Sequence, residues 1–140
     1  MAQSLSHLAP VARVLLALIF ILSGFQKLAD PAGMAAYIAS GGLPGWLVWP
    51  TILVEIVGGA ALVLGLQARV AALALAGFTL LAGLLFHFVP ALGAEGMEAQ
   101  MQMIMFWKNV SITGGLLFIV AHGAGAWALD NRDGAQPALA

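Results

Sequence analysis

Lys27, Glu55, His87 and Lys108 are ionisable side chains set within or against long apolar runs of this sequence. A charge inside a bilayer is expensive and normally faces other protein or a water-filled cavity, so each is a candidate for function. A carboxylate and an imidazole can pass protons. Ammonium groups and the neighbouring Asn109 amide can donate to oxygen atoms. The set therefore suits binding of a polar head group, or proton handling. It equally suits a buried polar knot. Glu55 can pair with Lys27 or with Lys108, Gln26 and Asn109 can add hydrogen bonds, and such a knot would fix helix register without any ligand.

Other residues carry less chemistry. The sequence has no cysteine, which removes disulfides, thiolate metal sites, iron–sulfur clusters and thiol relays within the chain. No two histidines have ligand spacing and no His/Asp/Glu cluster resembles a metal site, so no metal is expected. His7 and His122 read as local hydrogen-bonding residues. Met97, Met101, Met103 and Met105 read as packing or lipid-facing side chains rather than soft-metal ligands. Ser23, Ser111 and Thr113 read as helix glue, since no nucleophile–base pair or phosphate loop accompanies them.

These residues need elements to hold them. The chain has 140 residues, 62% hydrophobic and 8% charged, with a mean hydropathy of +1.01. Soluble domains are about 25% charged, so lipid must be the main solvent here. A net charge of −1 gives no basic footprint for nucleic acid. Stretches of about 20 apolar residues cross a bilayer core, and they predict spans over 11–28, 47–66, 70–89 and 104–122. Leu22-Ser23-Gly24 is a poor cleavage site and three more spans follow, so the first span is expected to stay. Asp30-Pro31 opens a short surface helix and Gly41-Gly42-Leu43-Pro44-Gly45 stops it. Gln67-Ala68-Arg69 joins spans two and three as an antiparallel hairpin. Residues 90–103 are expected as a loop, and 123–140 as a frayed tail. The fold class is all-α: a membrane-embedded four-helix bundle with a short interfacial helix, forming a single domain over 1–140.

Placed on that scaffold, the ionisable residues converge. Lys27 ends span one, His87 nears the same end of span three, and Lys108 opens span four. Glu55 lies about 12 Å inside span two at 1.5 Å per residue. Small residues one turn away (Ser23 and Gly24, Gly58 and Gly59, Gly83, Ser111 and Gly115) place these side chains on packing faces. Arg13, Arg69 and Arg132 mark one side of the membrane, and Asp30, Glu95 and Glu98 mark the other. The positive-inside rule then puts both termini in the cytoplasm and the polar cluster in the outer leaflet. Trp46, Trp49 and Trp107 fall where an aromatic belt anchors the outer boundary.

The sequence from Arg13 to Phe20, then Ser23-Gly24-Phe25-Gln26-Lys27-Leu28 and Asp30-Pro31, resembles the opening of the DoxX family. Gly42-Leu43-Pro44, Glu55-Ile56-Val57-Gly58-Gly59, Leu64-Gly65-Leu66 before Arg69, Phe86-His87, Phe106-Trp107-Lys108-Asn109 and Leu129-Asp130 continue the likeness in order, over roughly residues 11–130. The resemblance implies a small bacterial inner-membrane protein of four helices. Archaeal relatives form the membrane part of a thiosulfate:quinone oxidoreductase, others are linked to oxidative-stress or thiol-redox partners, and most have no assigned reaction. Lys27, Glu55, His87, Lys108 and Asn109 match positions the family shares. The expected function is therefore an accessory or subunit of a membrane redox system, with a pocket for a quinone-like lipid. Glu55 and His87 would handle protons, and Lys27, Lys108 and Asn109 would bind carbonyl oxygens. Any enzymatic step would need a redox partner, because the chain itself offers no electron carrier. The rivals are a scaffold or assembly factor with a structural knot, and a small transporter. Packing faces on several spans would suit a homodimer as well as a tight monomer.

Overall fold

The computed structural model describes residues 7–131, which form helices joined by short turns with no strand among them. In chain order these are α1 (Leu8–Ala29), α2 (Pro31–Ser40), a 3-10 turn (Gly45–Leu47), α3 (Val48–Leu64), α4 (Ala68–Gly83), a π-helical turn (Leu84–Phe88), α5 (Val89–Gly93), α6 (Gly96–His122) and a last 3-10 turn (Leu129–Asn131). Taken as continuous rods, Leu8–Ala29, Gly45–Leu64, Ala68–Gly93 and Gly96–His122 are each long and apolar enough to cross a membrane. The chain is an all-α, membrane-embedded four-helix bundle.

The helices pack as two antiparallel pairs. α1 lies along α3, and α4 lies along α6; α3 and α4 join the pairs, while α1 and α6 barely touch. In lipid, helices associate by close packing rather than by a hydrophobic drive, so small residues at contacts matter. Gly24 shows this between α1 and α3: a Cβ there would meet Ile56 Cγ1 at 2.5 Å and Glu55 Cβ at 3.5 Å. The core toward the end where α1 begins and α6 finishes is built around Ala17, Phe20, Leu62, Leu75 and Leu116. Nearer the other end the pairs part, and a cavity remains between them.

α2 closes that end. Asp30 caps it, its Oδ1 accepting from Gly33 N at 2.9 Å, and Pro31 occupies the first position, where a missing N–H costs nothing. α2 is seated by Ile38, buried against Val48 and Ile52 of α3.

Two expectations about connections fail. The loop predicted over 90–103 is almost entirely helical, leaving only Ala94 and Glu95 between α5 and α6. α6 begins at Gly96 with Glu98 in its first turn, where a carboxylate favours the positive end of the helix dipole. At 27 residues it is about 40 Å long, longer than a hydrocarbon core of about 30 Å. The frayed tail is also wrong as far as residue 131. Ala124 and Ala128 are buried, and the segment is strapped across the end of the bundle where α1 begins. Arg13 donates to the carbonyls of Ala124, Ala126, Val63 and Trp127. Asp130 accepts from Gln67 N at 2.6 Å and Ala68 N at 2.9 Å, capping α4. Arg132 and the rest of the expected tail lie outside the described residues.

Candidate functional site

The third span is not a uniform α-helix, and this positions His87. Pro90 has no N–H to offer the carbonyl of Phe86, and its ring would crowd that carbonyl in a regular ladder. The ladder re-registers instead, with Val89 N bonding to Leu84 O across the π-turn. In an unbroken α-helix, the eight residues from Thr79 to His87 would leave the two side chains about 80° apart around the axis. A π-turn is wider and advances less per residue. Phe86 and His87 both come to line the same cavity as Thr79.

The cavity there has a volume of about 260 Å³. Its walls include Lys27 from α1, Glu55 from α3, Thr79 from α4, His87 from the π-turn, and Lys108 with Asn109 from α6. All five residues singled out from the sequence thus line one cavity, and every membrane-crossing rod contributes. α2 covers it with Met34, Tyr37 and Ile38. Tyr37 stacks on Phe86 with ring centroids 5.2 Å apart.

Polar groups around the cavity are unevenly satisfied. Glu55 is 4% exposed, and its Oε1 accepts from Lys27 Nζ at 2.9 Å. Of the two pairings open from the sequence, Lys27 is the one made. Glu55 Oε2 is buried and has no hydrogen-bond partner, and neither has Thr79 Oγ1. Thr79 is also 4% exposed. Buried polar atoms are nearly always hydrogen-bonded, so two orphans on one cavity need a reason. A threonine in a helix can bond its own carbonyl one turn back, as Thr113 does to Asn109 O at 2.8 Å; Thr79 does not. His87 Nδ1 lies 2.8 Å from Gln102 Oε1 of α6. Lys108 sits at the exposed rim, its Nζ 3.1 Å from Met105 Sδ. Thioether sulfur is a weak acceptor, so this ammonium keeps its donors for another group. Asn109 is held close by Gly83, where a Cβ would meet Asn109 Cβ at 2.9 Å.

Some expected residues lie elsewhere. Gln26 is exposed and not part of the cavity wall. Ser111 Oγ bonds Trp107 O at 3.0 Å, and His122 Nδ1 lies 3.1 Å from Phe118 O. Trp46, Trp49 and Trp107 are exposed. Among the described residues, no group of three His, Asp or Glu is arranged to hold a metal ion. Thr79 was missed from the sequence, although a signal existed. Besides His87, it is the one side chain able to hydrogen-bond between Val70 and Val89, and it lies one turn from Gly83.

A binding site of this kind has polar groups converging in a largely apolar, concave setting. What the wall offers is one buried acceptor at Glu55 Oε2, one buried donor at Thr79 Oγ1, an imidazole, an amide, and an ammonium at the rim. Such a set can hold a small polar head carrying both hydrogen-bond donors and acceptors.

The chain resembles two proteins of Escherichia coli (strain K12). It is 40% identical over 120 residues to "Inner membrane protein YqjF", covering 86% of this chain and 87% of that protein. It is 35% identical over 124 residues to "Inner membrane protein YphA", with 87% of each covered. No solved structure matches it. The sequence pattern of the family described as DoxX matches residues 8–88, the segment that runs from the start of α1 through the π-turn and carries Lys27, Glu55, Thr79 and His87, and with relatives this similar over nearly their whole length, this chain belongs to the DoxX family.

Proposed function

We propose that the protein is an accessory or subunit of a membrane redox system in a bacterial inner membrane, and that its cavity binds the head of a quinone-like lipid. One observation carries this reading: a carboxylate with a buried, unpaired oxygen and a threonine with a buried, unpaired hydroxyl both belong to the wall of one cavity, to which every crossing helix contributes. A quinone-like head alternates acceptor carbonyls with, once reduced, donor hydroxyls. Thr79, Asn109 and Lys108 would donate to its oxygens, and Glu55 Oε2 would accept. Glu55 and His87 would take up or deliver protons as the head changes redox state. Lys27 has a narrower role than the sequence suggested, because its ammonium is engaged in holding Glu55. The electrons would come from or go to a partner protein. The charge bias of the loops supports cytoplasmic termini, and fluorescent fusions that mature only in the cytoplasm check it.

Glu55→Gln is the direct test. It keeps the shape and removes the anion. The purified variant is expected to stay monodisperse and to lose binding of a decyl-benzoquinone measured in nanodiscs. Unchanged binding would sink the role of Glu55. Collapse of the protein would instead favour the scaffold reading, which draws its support from the Lys27–Glu55 pair bridging α1 and α3. A transporter reading has less support, because Arg13 and the strap close the end of the bundle where α1 begins.

A further inference from the structure

A second cavity adjoins the first. Its volume is about 240 Å³, and its character is different. Leu43, Leu47, Pro50, Val54, Leu81 and Leu85 give it an apolar lining, with Thr51 its sole polar side chain. It lies between α3 and α4, below the turn that enters α3. Ile38, Thr51, Phe78, Ala82 and Phe86 belong to the walls of both cavities, so the two are adjacent chambers separated by single side chains. Leu81 and Pro50 at its edge are exposed, which in a bilayer means open to lipid. The polar chamber has the opposite aspect, with exposed Ile19 and Lys108 at its rim between α1 and α6.

We infer that the apolar chamber is a tail subsite: it takes the first segment of the single hydrocarbon chain of the amphiphile whose head occupies the polar chamber, and passes that chain between α3 and α4 into the bilayer. The inference rests on the head-group reading above and adds the class of ligand, an amphiphile with one flexible apolar tail rather than a small polar solute. Continuity is the argument for this occupant. Phe86 and Ala82 belong to the wall of the chamber that holds Glu55 and Thr79 and to that of the apolar chamber, which opens to lipid at Leu81 and Pro50. Lipid tails are as apolar as leucine, so the chamber gains little from the hydrophobic effect. What it supplies is shape. It orients the head and admits a chain of a given width.

The test compares two rings on the same protein in nanodiscs: a tail-less dimethoxy-methyl-benzoquinone, and the same ring carrying a decyl chain. Leu81→Trp places bulk at the lipid-facing edge of the apolar chamber, away from the head. Val54→Phe fills the chamber from α3 and serves if the first variant folds poorly. Overpacking a tight site is costly, so the decyl compound is expected to bind the variant about tenfold more weakly, while the tail-less ring binds as before. Equal loss for both rings, or no loss for either, overturns the tail subsite. Lipids that copurify in mild detergent, read by mass spectrometry, separate this from the quinone reading. A single-tailed amphiphile that is not a quinone, carried by the wild type and lost from Leu81→Trp, supports the subsite and overturns the quinone head. Absence of any copurifying amphiphile together with no binding of either ring overturns both.

Discussion

At the scale of the residue, the site depends on what is left unsatisfied. Lys27 and Glu55 were legible in the sequence because charge in an apolar run is a strong signal and because the two lie on helices that a short connection must bring together. Thr79 was not, because a lone hydroxyl in a span usually bonds its own helix and then carries no message. The structure separates these cases: Thr113 bonds the carbonyl of Asn109, and Thr79 bonds nothing. This gives Thr79→Val a signature that a structural role would not share. Removing a buried, unpaired hydroxyl relieves a desolvation cost, so the ligand-free variant is expected to gain about 1 kcal/mol of stability. The same change removes a donor to the head group, so decyl-benzoquinone binding is expected to weaken. Thermal unfolding in detergent and binding in nanodiscs read the two effects. Loss of stability with unchanged binding would return Thr79 to the ranks of helix glue.

At the scale of the element, the informative irregularity is the π-turn. Periodicity arguments assume 3.6 residues per turn, and on that basis His87 and Gly83 share a face. Gly83 packs on Asn109 and His87 lines the cavity, but the turn between them is wider than 3.6 residues allows, and Phe86 comes to the cavity as well. The sequence held the cause in Pro90, which was read as the start of a loop. The following helix was misjudged for a related reason: Glu95, Gly96 and Glu98 look like loop composition, yet they start α6. π-turns are rare, carry poorer hydrogen bonding and recur at functional sites. Pro90→Ala tests whether this one is retained for position. Restoring the amide hydrogen lets the ladder close as a regular helix, so the variant is expected to unfold at a higher temperature. If His87 and Phe86 need the wide turn to face the cavity, the same variant should bind decyl-benzoquinone more weakly. A stabilised protein with full binding would show that the turn merely accommodates proline.

At the scale of the whole molecule, the two ends of the bundle differ in kind. The end that α2 covers holds open space lined by polar groups, and the end where α1 begins is closed by the segment around Ala124 and Ala128. The seal was illegible in the sequence, because Ala124 and Ala128 bury by close approach rather than by periodicity, and because Arg13 read as a topogenic charge at a helix end. Gly65 shows how tight the fit is. Its backbone is left-handed at φ +64°, and a Cβ there would meet Ala128 Cα at 2.7 Å. Arg13 and Asp130 then hold the same strap from two sides: the guanidinium fork gathers carbonyls at 124, 126 and 127, and the carboxylate caps α4 while its own amide bonds Gly65 O at 2.9 Å. Arg13→Lys keeps the charge but not the fork, and is expected to lose about 2 kcal/mol, since hydrogen bonds from a charged donor are the stronger kind. Asp130→Ala removes the cap and is expected to lose about 1 kcal/mol. If the strap docks as a unit, either change releases it, and the double variant should lose clearly less than the sum of the singles. Unfolding of the four proteins in one detergent measures this. Strict additivity would mean that Arg13 and Asp130 act independently. In that case this end of the bundle would be closed by two separate local contacts rather than by a strap that could open as one piece.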